Sequence, residues 1–124
     1  MRPKSTTLTG QELEMMKIVW RRESVTVRDV YEELLERRKI AYTTVMSALK
    51  TLEQKGYLCT EQRDRAYVYR PTRPKSQVIK GMVREFVQRV FNGSAQPLVV
   101  HLLEDHRLTE SDLREISRMM GRKK

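Results

Sequence analysis

Residues 42–70 decide the fold of this chain, because the hydrophobic pattern changes there from a helical period to a strand period. The first part reads Tyr42-Thr43-Thr44-Val45-Met46-Ser47-Ala48-Leu49-Lys50-Thr51-Leu52-Glu53-Gln54-Lys55-Gly56. Its apolar residues recur at spacings of three and four, which predicts an amphipathic helix that ends at Gly56. Residues 57–62 and 66–70 are rich in aromatic and β-branched side chains and predict two strands. Arg63-Asp64-Arg65 joins them, so we expect a hairpin with a basic tip.

A helix-start pattern occurs three times around this stretch. In each case a threonine is followed three residues later by a carboxylate: Thr9 by Glu12, Thr26 by Asp29 and Thr109 by Asp112. This is the capping-box pattern, in which the two residues satisfy each other's backbone N–H groups. It predicts helices over residues 10–22, 27–37 and 110–120.

Two helices, a third helix and a basic hairpin follow one another in the order of a winged helix-turn-helix. In that fold the third helix enters the major groove of DNA and the wing touches the backbone. Val45, Leu49 and Leu52 should face the core, and Tyr67 and Tyr69 are expected to be core aromatics. The candidate DNA-binding residues are Tyr42, Thr43, Thr44, Met46, Ser47, Lys50, Thr51, Arg63 and Arg65. Polar outer residues also occur on any surface helix, and Tyr42 and Met46 suit packing as well as DNA contact.

The composition is consistent with a polyanionic partner. The chain has 124 residues, with 25 Lys+Arg against 16 Asp+Glu, and its formal net charge is +9. This length accommodates one compact domain or a small domain with an appendage. A basic balance raises local anion concentration but does not identify the anion.

Other classes of protein are poorly supported by the sequence. The longest apolar run, Pro97-Leu98-Val99-Val100, is far shorter than a membrane span, and the N-terminus has no apolar signal region. Cys59 is the single cysteine, so an intrachain disulfide is impossible. No nucleotide-binding or nucleophile motif occurs, and His101 and His106 are spaced poorly for a helical metal pair. We expect no catalytic residues, no metal and no cofactor, and a cytoplasmic location.

The last fifty residues predict three further helices with an apolar surface too wide for one small domain. Two adjacent apolar rows run along residues 76–91, and shorter helices are expected over 97–105 and 110–120. We therefore predict a winged-helix domain over 1–73 and a helical dimerisation region over 74–124. The candidate dimer-interface residues are Ile79, Met82, Val83, Phe86, Val90, Phe91, Leu98, Leu102, Leu113 and Ile116. In the alternative arrangement, these helices fold back onto their own N-terminal unit.

Several of these motifs resemble the penicillinase-repressor (BlaI/MecI/CopY) family of bacterial transcription regulators. The most specific is Ala41-Tyr42-Thr43-Thr44-Val45-Met46. The others are Leu8-Thr9 with Glu12-Leu13-Glu14 and Trp20, Val27-Arg28-Asp29-Val30, Leu52-Glu53-Gln54-Lys55-Gly56, Arg65-Ala66-Tyr67-Val68-Tyr69-Arg70-Pro71 and Phe91-Asn92-Gly93-Ser94.

The resemblance implies a homodimeric repressor whose winged helix binds a dyad-symmetric operator and whose C-terminal helices hold the dimer together. In the antibiotic-responsive members, a membrane-bound sensor metallopeptidase triggers cleavage of the repressor at an Asn-Phe bond. His101-Leu102 stands at the equivalent position here, so the resemblance does not extend to that bond. The copper-responsive members carry a C-terminal cysteine cluster, whereas this chain has no cysteine after Cys59.

The sequence therefore predicts a mainly α protein with a small β-hairpin wing, in which a winged helix-turn-helix precedes a helical dimerisation region. The predicted function is that of a cytoplasmic transcriptional repressor with double-stranded operator DNA as its partner. Two alternatives stay open. One is a winged-helix protein–protein interaction module for an acidic partner, and the other is a non-specific architectural DNA-binding protein.

Overall fold

The fold consists of three helices, a two-stranded hairpin and three more helices, in a computed structural model that describes residues 7–121. The elements are α1 (Gly10–Arg22), α2 (Val27–Leu35), α3 (Tyr42–Gln54), β1 (Leu58–Arg63), β2 (Ala66–Pro71), α4 (Lys75–Phe91), α5 (Gln96–Glu104) and α6 (Glu110–Gly121). This confirms the predicted fold class and element order. None of the helices in the described part of the chain is both long enough and apolar enough to cross a bilayer.

The three predicted capping boxes are all formed, at the starts of α1, α2 and α6. In the first, the Glu12 N–H donates to Thr9 Oγ1 at 3.1 Å and the Thr9 N–H donates to Glu12 Oε1 at 3.0 Å. Equivalent pairs of bonds join Thr26 with Asp29 and Thr109 with Asp112. Each box satisfies two backbone donors that a helix start leaves without an intrahelical acceptor.

Helix α2 ends at Leu35, two residues earlier than the predicted range of 27–37. The N–H of Arg37 bonds to the carbonyl of Leu34 at 2.9 Å, a three-residue spacing that tightens the chain after the helix. The chain then turns toward α3, which begins at Tyr42.

The hydrophobic core of the N-terminal part lies among α1, α2, α3 and one face of the hairpin. Its fully enclosed side chains are Met15, Met16, Val19, Val25, Val30, Leu34, Val45, Leu49 and Leu52. Val25 exchanges two backbone hydrogen bonds with Tyr69, at 3.0 and 2.7 Å, so the segment between α1 and α2 covers the outer edge of β2.

The hairpin is antiparallel, with Leu58 opposite Pro71 at its base and Arg63 opposite Ala66 at its tip. Leu58 and Tyr69 lie on one face of the hairpin and are buried in the core, whereas Val68 lies on the other face and is also buried. Tyr67 was also expected in the core, and that prediction is wrong, because its side chain is 60% exposed. It lies on the same strand face as Tyr69 but one pleat nearer the tip, where the hairpin extends past the core.

The chain divides into two compact units that separate between Met82 and Val83, within α4. The predicted boundary lay between residues 73 and 74. The two differ because Val78 is buried in the N-terminal core and Met82 packs against it, so the first half of α4 belongs to that unit. In the second unit, no side chain of α5 or α6 is buried.

Candidate nucleic-acid interface

Helix α3 presents a polar face because its apolar residues are held in the core. Val45, Leu49 and Leu52 are fully buried, which fixes the rotation of the helix about its axis. The predicted contact residues Thr43, Thr44, Ser47 and Lys50 are all exposed, and Thr51 is half-buried. No carboxylate occurs in α3 before Glu53. The exposed face therefore offers hydroxyls and one ammonium group to a polyanion.

Tyr42 and Met46 lie at the side of this face, and each is 42% exposed. The ring of Tyr42 packs edge-on against Tyr31 of α2, with 5.3 Å between the ring centroids and an angle of 78° between the planes. Tyr42 thus packs against the neighbouring helix and still presents part of its ring to solvent.

Helix α3 begins without a side-chain cap, because Ala41 supplies no oxygen at the N-cap position. The Thr44 N–H donates to the Ala41 carbonyl at 3.0 Å, so the N–H groups of Tyr42 and Thr43 are left for water or for a bound anion. Helix N-termini carry partial positive charge, which favours phosphate at this end of the helix.

The wing brings together Arg63, Arg70 and a carboxylate that was not among the predicted site residues. The Arg63 Nε–H donates to Glu61 Oε2 at 2.8 Å, and Arg70 lies 3.3 Å from Glu61 Oε1. The Arg63 hydrogen bond is the main reason that the pKa of Glu61 is lowered, and Arg70 adds to the effect. Arg65, at the tip, is exposed, and no carboxylate of residues 7–121 lies within ion-pair distance of it. Glu61 could have been found from the sequence, since residues two apart share a strand face.

Arginines on the α1–α2 surface are engaged by carboxylates and so contribute less free charge. Arg21 and Arg22 both pair with Glu33, and Arg38 lies 2.9 Å from Glu14. Burial alone would raise the pKa of Glu33, but the contacts with Arg21 and Arg22 outweigh burial and lower it. These ion pairs contrast with the acid-free face of α3.

A nearly buried ion pair joins the C-terminal end of α3 to the N-terminal end of α1. Lys55 Nζ, just after α3, lies 2.8 Å from Glu12 Oε1 in the first turn of α1. Burial alone would raise the pKa of Glu12, but the bonds from Lys55 and Thr9 outweigh burial and lower it. The pair therefore anchors the C-terminal end of α3 to the helix behind it.

The predicted dimer residues are placed on α4, α5 and α6 with much of their apolar surface uncovered. Val83, Phe86, Val90 and Ile116 are exposed. The half-buried members of the set are Ile79, Met82, Phe91, Leu98, Leu102 and Leu113. The ring of Phe91 contacts the ring of Phe86 edge-on, and its centroid lies 5.8 Å from the centroid of the His101 ring. These contacts explain part of the burial of Phe91.

Comparison with known proteins gives a consistent result over almost the whole chain. The family model described as penicillinase repressor matches residues 8–122. The transcriptional regulator BlaI of Mycobacterium tuberculosis (strain ATCC 25618 / H37Rv) is 38% identical over 111 residues, which cover 88% of this chain and 80% of that protein. The penicillinase repressor of Bacillus licheniformis is 27% identical over 113 residues, which cover 91% of this chain and 88% of that protein.

A solved structure supports the same assignment. The solution structure of the DNA binding domain of the repressor BlaI matches with a TM-score of 0.53 and 29% identity, and the match covers 60% of this chain and 92% of that chain. The match to the family model extends over far more than half of the sequence. This chain therefore belongs to the penicillinase repressor family.

Proposed function

We propose that this chain is a transcriptional repressor that binds a dyad-symmetric operator as a homodimer. The observation that carries the proposal is the exposed, acid-free face of α3 beside a basic wing, in a chain that belongs to the penicillinase repressor family. A cytoplasmic location, where operator DNA would be accessible, is part of the same proposal.

The outer face of α3 suits the major groove of DNA. Thr43, Thr44 and Ser47 carry short hydroxyl side chains that can reach base edges or phosphate oxygens. A threonine methyl can also contact the C5-methyl group of thymine. Lys50 on the same helix would neutralise a phosphate, which adds affinity without sequence preference.

The wing supports the same orientation. Its tip carries Arg65 with no carboxylate partner in the described part of the chain, and a wing in this fold lies along the DNA backbone. Arg65 therefore provides a phosphate contact that fixes the register of α3 in the groove.

The homodimer part of the proposal is supported by the apolar side chains that α4, α5 and α6 leave uncovered. Phe86 is 39% exposed and Val90 is 48% exposed, one turn apart on α4. A twofold partner would bury the same residues from both protomers. It would also place two α3 helices on one duplex, about 34 Å apart if one helical turn separates the half-sites.

The proposal also includes relief of repression by a sensor-peptidase signal. The His101–Leu102 bond lies in the second half of α5, where the main chain is helical. Cleavage at this bond would require local opening of that helix, which no buried α5 side chain opposes within a single protomer.

The test is a fluorescence-anisotropy titration with duplex DNA that flanks the gene of this protein, compared with a shuffled sequence. We expect specific binding whose association constant falls as the salt concentration rises. The slope of log K against log salt should be about −0.9 per phosphate contact. Ser47→Glu should weaken operator binding about tenfold or more, because it places a carboxylate on the acid-free face; tenfold corresponds to about 1.4 kcal/mol. Ser111→Glu, an equal charge change at an exposed position of α6, is the matched control and should bind normally.

Each alternative function gives a different result in this titration. If no duplex bound even at low salt, a protein–protein interaction module would be favoured instead. Equal affinity for the operator and the shuffled sequence would indicate architectural DNA binding. Equal losses of operator affinity in the Ser47→Glu and Ser111→Glu variants would show that α3 does not contact the DNA.

A further inference from the structure

The wing contains three arginines, and two of them share one carboxylate. Glu61 accepts a hydrogen bond from Arg63 Nε at 2.8 Å through one oxygen, and Arg70 approaches its other oxygen at 3.3 Å. The side chains of Glu61, Arg63 and Arg70 are each about half exposed, so this cluster lies on the surface of the wing.

The strand register explains why these groups meet. Glu61 and Arg63 are two residues apart on β1 and therefore point to the same face of the hairpin. Arg70 pairs with Cys59, which places it diagonally across from Glu61 on that face. Leu58 and Tyr69 point to the opposite face, into the core. The exposed cluster is thus on the face of the wing opposite to the core, and the same face carries Val68, the buried cross-strand partner of Glu61.

A carboxylate and a DNA phosphate compete for the same donors, because both accept paired N–H bonds from a guanidinium group. We propose that Glu61 acts as an intramolecular competitor for DNA phosphate, occupying Arg63 and Arg70 and so limiting the affinity of the wing for DNA. This inference rests on the proposed DNA-binding function. It assigns Glu61 the role of setting how many wing arginines are available to the backbone.

The expected size of the effect follows from the charge that Glu61 neutralises. Exposed ion pairs are weak, so the Glu61 contacts limit phosphate binding without blocking it. Glu61 carries one charge, so its removal frees the equivalent of one phosphate contact, which steepens the slope of log K against log salt by about 0.9. Over the tenfold change from about 1 M to about 0.1 M salt, this slope amounts to at most about eightfold in affinity per wing.

The experiment compares the wild-type protein with Glu61→Gln in salt titrations on duplex DNA. Glutamine keeps the size and an acceptor oxygen but removes the charge that holds the arginines. We expect Glu61→Gln to bind more tightly, by up to about eightfold per wing at 0.1 M salt, with a steeper salt slope. Asp105→Asn is the matched control, because Asp105 forms an exposed pair with Arg107 at 3.2 Å outside the wing. It gives the same change in net charge.

A second variant background ties the effect to the wing. In a protein that carries Arg63→Ala, the gain from Glu61→Gln should shrink, because one of the released groups is missing. Unchanged melting temperatures would show that these exposed substitutions leave the fold intact.

The outcomes separate this inference from the proposed function. If wild-type protein bound no duplex, both would be overturned together. If wild-type protein bound DNA but Glu61→Gln left affinity and slope unchanged, only the role of Glu61 would be wrong. Weaker binding by Glu61→Gln would mean that Glu61 orients Arg63 for phosphate instead of competing with it. An equal gain in Asp105→Asn would reduce the effect to overall charge.

Discussion

The carboxylate of Glu12 serves two parts of the winged helix at once. Its Oε1 atom accepts a hydrogen bond from the Thr9 N–H at 3.0 Å and lies 2.8 Å from Lys55 Nζ. The two charged side chains are only 9% and 15% exposed, so removal of either would leave the other poorly solvated. One side chain therefore caps α1 and also fixes the position of the residue that follows α3.

The Glu12–Lys55 pair should make stability depend on pH. Because the folded-state pKa of Glu12 is lowered, ionised Glu12 stabilises the fold above its ordinary value of about 4.5. This contribution is lost as pH falls through the folded-state pKa. Glu12→Gln should lower the free energy of unfolding at pH 7 by about 1.5–3 kcal/mol, as expected for a hydrogen bond to a charged group. Urea unfolding at pH 7 and at pH 3 measures both effects.

The matched control for this prediction is Glu32→Gln, which removes a carboxylate from an exposed pair with Arg28 on α2. Exposed pairs of this kind contribute little, so this variant should unfold like wild type at pH 7. If the stability difference between wild type and Glu12→Gln stayed constant down to pH 3, the ionised carboxylate would not be its source.

Among the three helices that begin with a capping box, α2 is the shortest. It has nine residues, which is short for a helix to persist without help from packing and capping. Thr26→Ala should therefore lower the free energy of unfolding by about 1 kcal/mol, the usual effect of losing an N-cap hydroxyl. Thr26→Ser keeps the hydroxyl and should lose much less. Urea unfolding followed by circular dichroism measures both variants, and equal losses would show that the methyl group, not the cap, matters.

The elements also show what the sequence can and cannot predict. Helix starts were predictable because a capping box is closed by residues only three apart. The exposure of Tyr67 was not, because alternation identifies a strand face but not how far the core extends beneath it. The contact of Arg70 with Glu61 was missed because this diagonal contact depends on the register between β1 and β2. Contacts along one strand or helix were thus easier to predict than contacts across strands.

In the whole molecule, α4 takes part in both compact units. Its apolar residues recur every four positions from one end of the helix to the other. Hydrophobic periodicity therefore indicated one long helix and gave no sign of the division within it. Only packing distinguishes the two halves: Val78 and Met82 belong with the N-terminal core, whereas Val83 is exposed. The continuous helix provides a direct covalent link between the proposed DNA-binding and dimerisation units.

The proposed dimer should set operator affinity through this link. Two half-sites on one duplex make the second winged helix bind at high effective concentration, which typically raises affinity by about 10²–10⁴-fold (about 2.7–5.5 kcal/mol) over a single module. Phe86 and Val90 are exposed in the protomer, so carboxylates at these positions should be tolerated by the protomer but not at an apolar interface.

We expect the double variant Phe86→Asp, Val90→Asp to be monomeric and to lose about 10²-fold or more in operator affinity. Sedimentation equilibrium measures the mass and anisotropy measures the affinity. Gln77→Asp with Gln88→Asp is the matched control, because it adds the same two charges at exposed polar positions of α4. It should stay dimeric and bind normally. A double variant that became monomeric but kept full affinity would show that each winged helix binds the operator independently, and the dimer would then have no part in recognition.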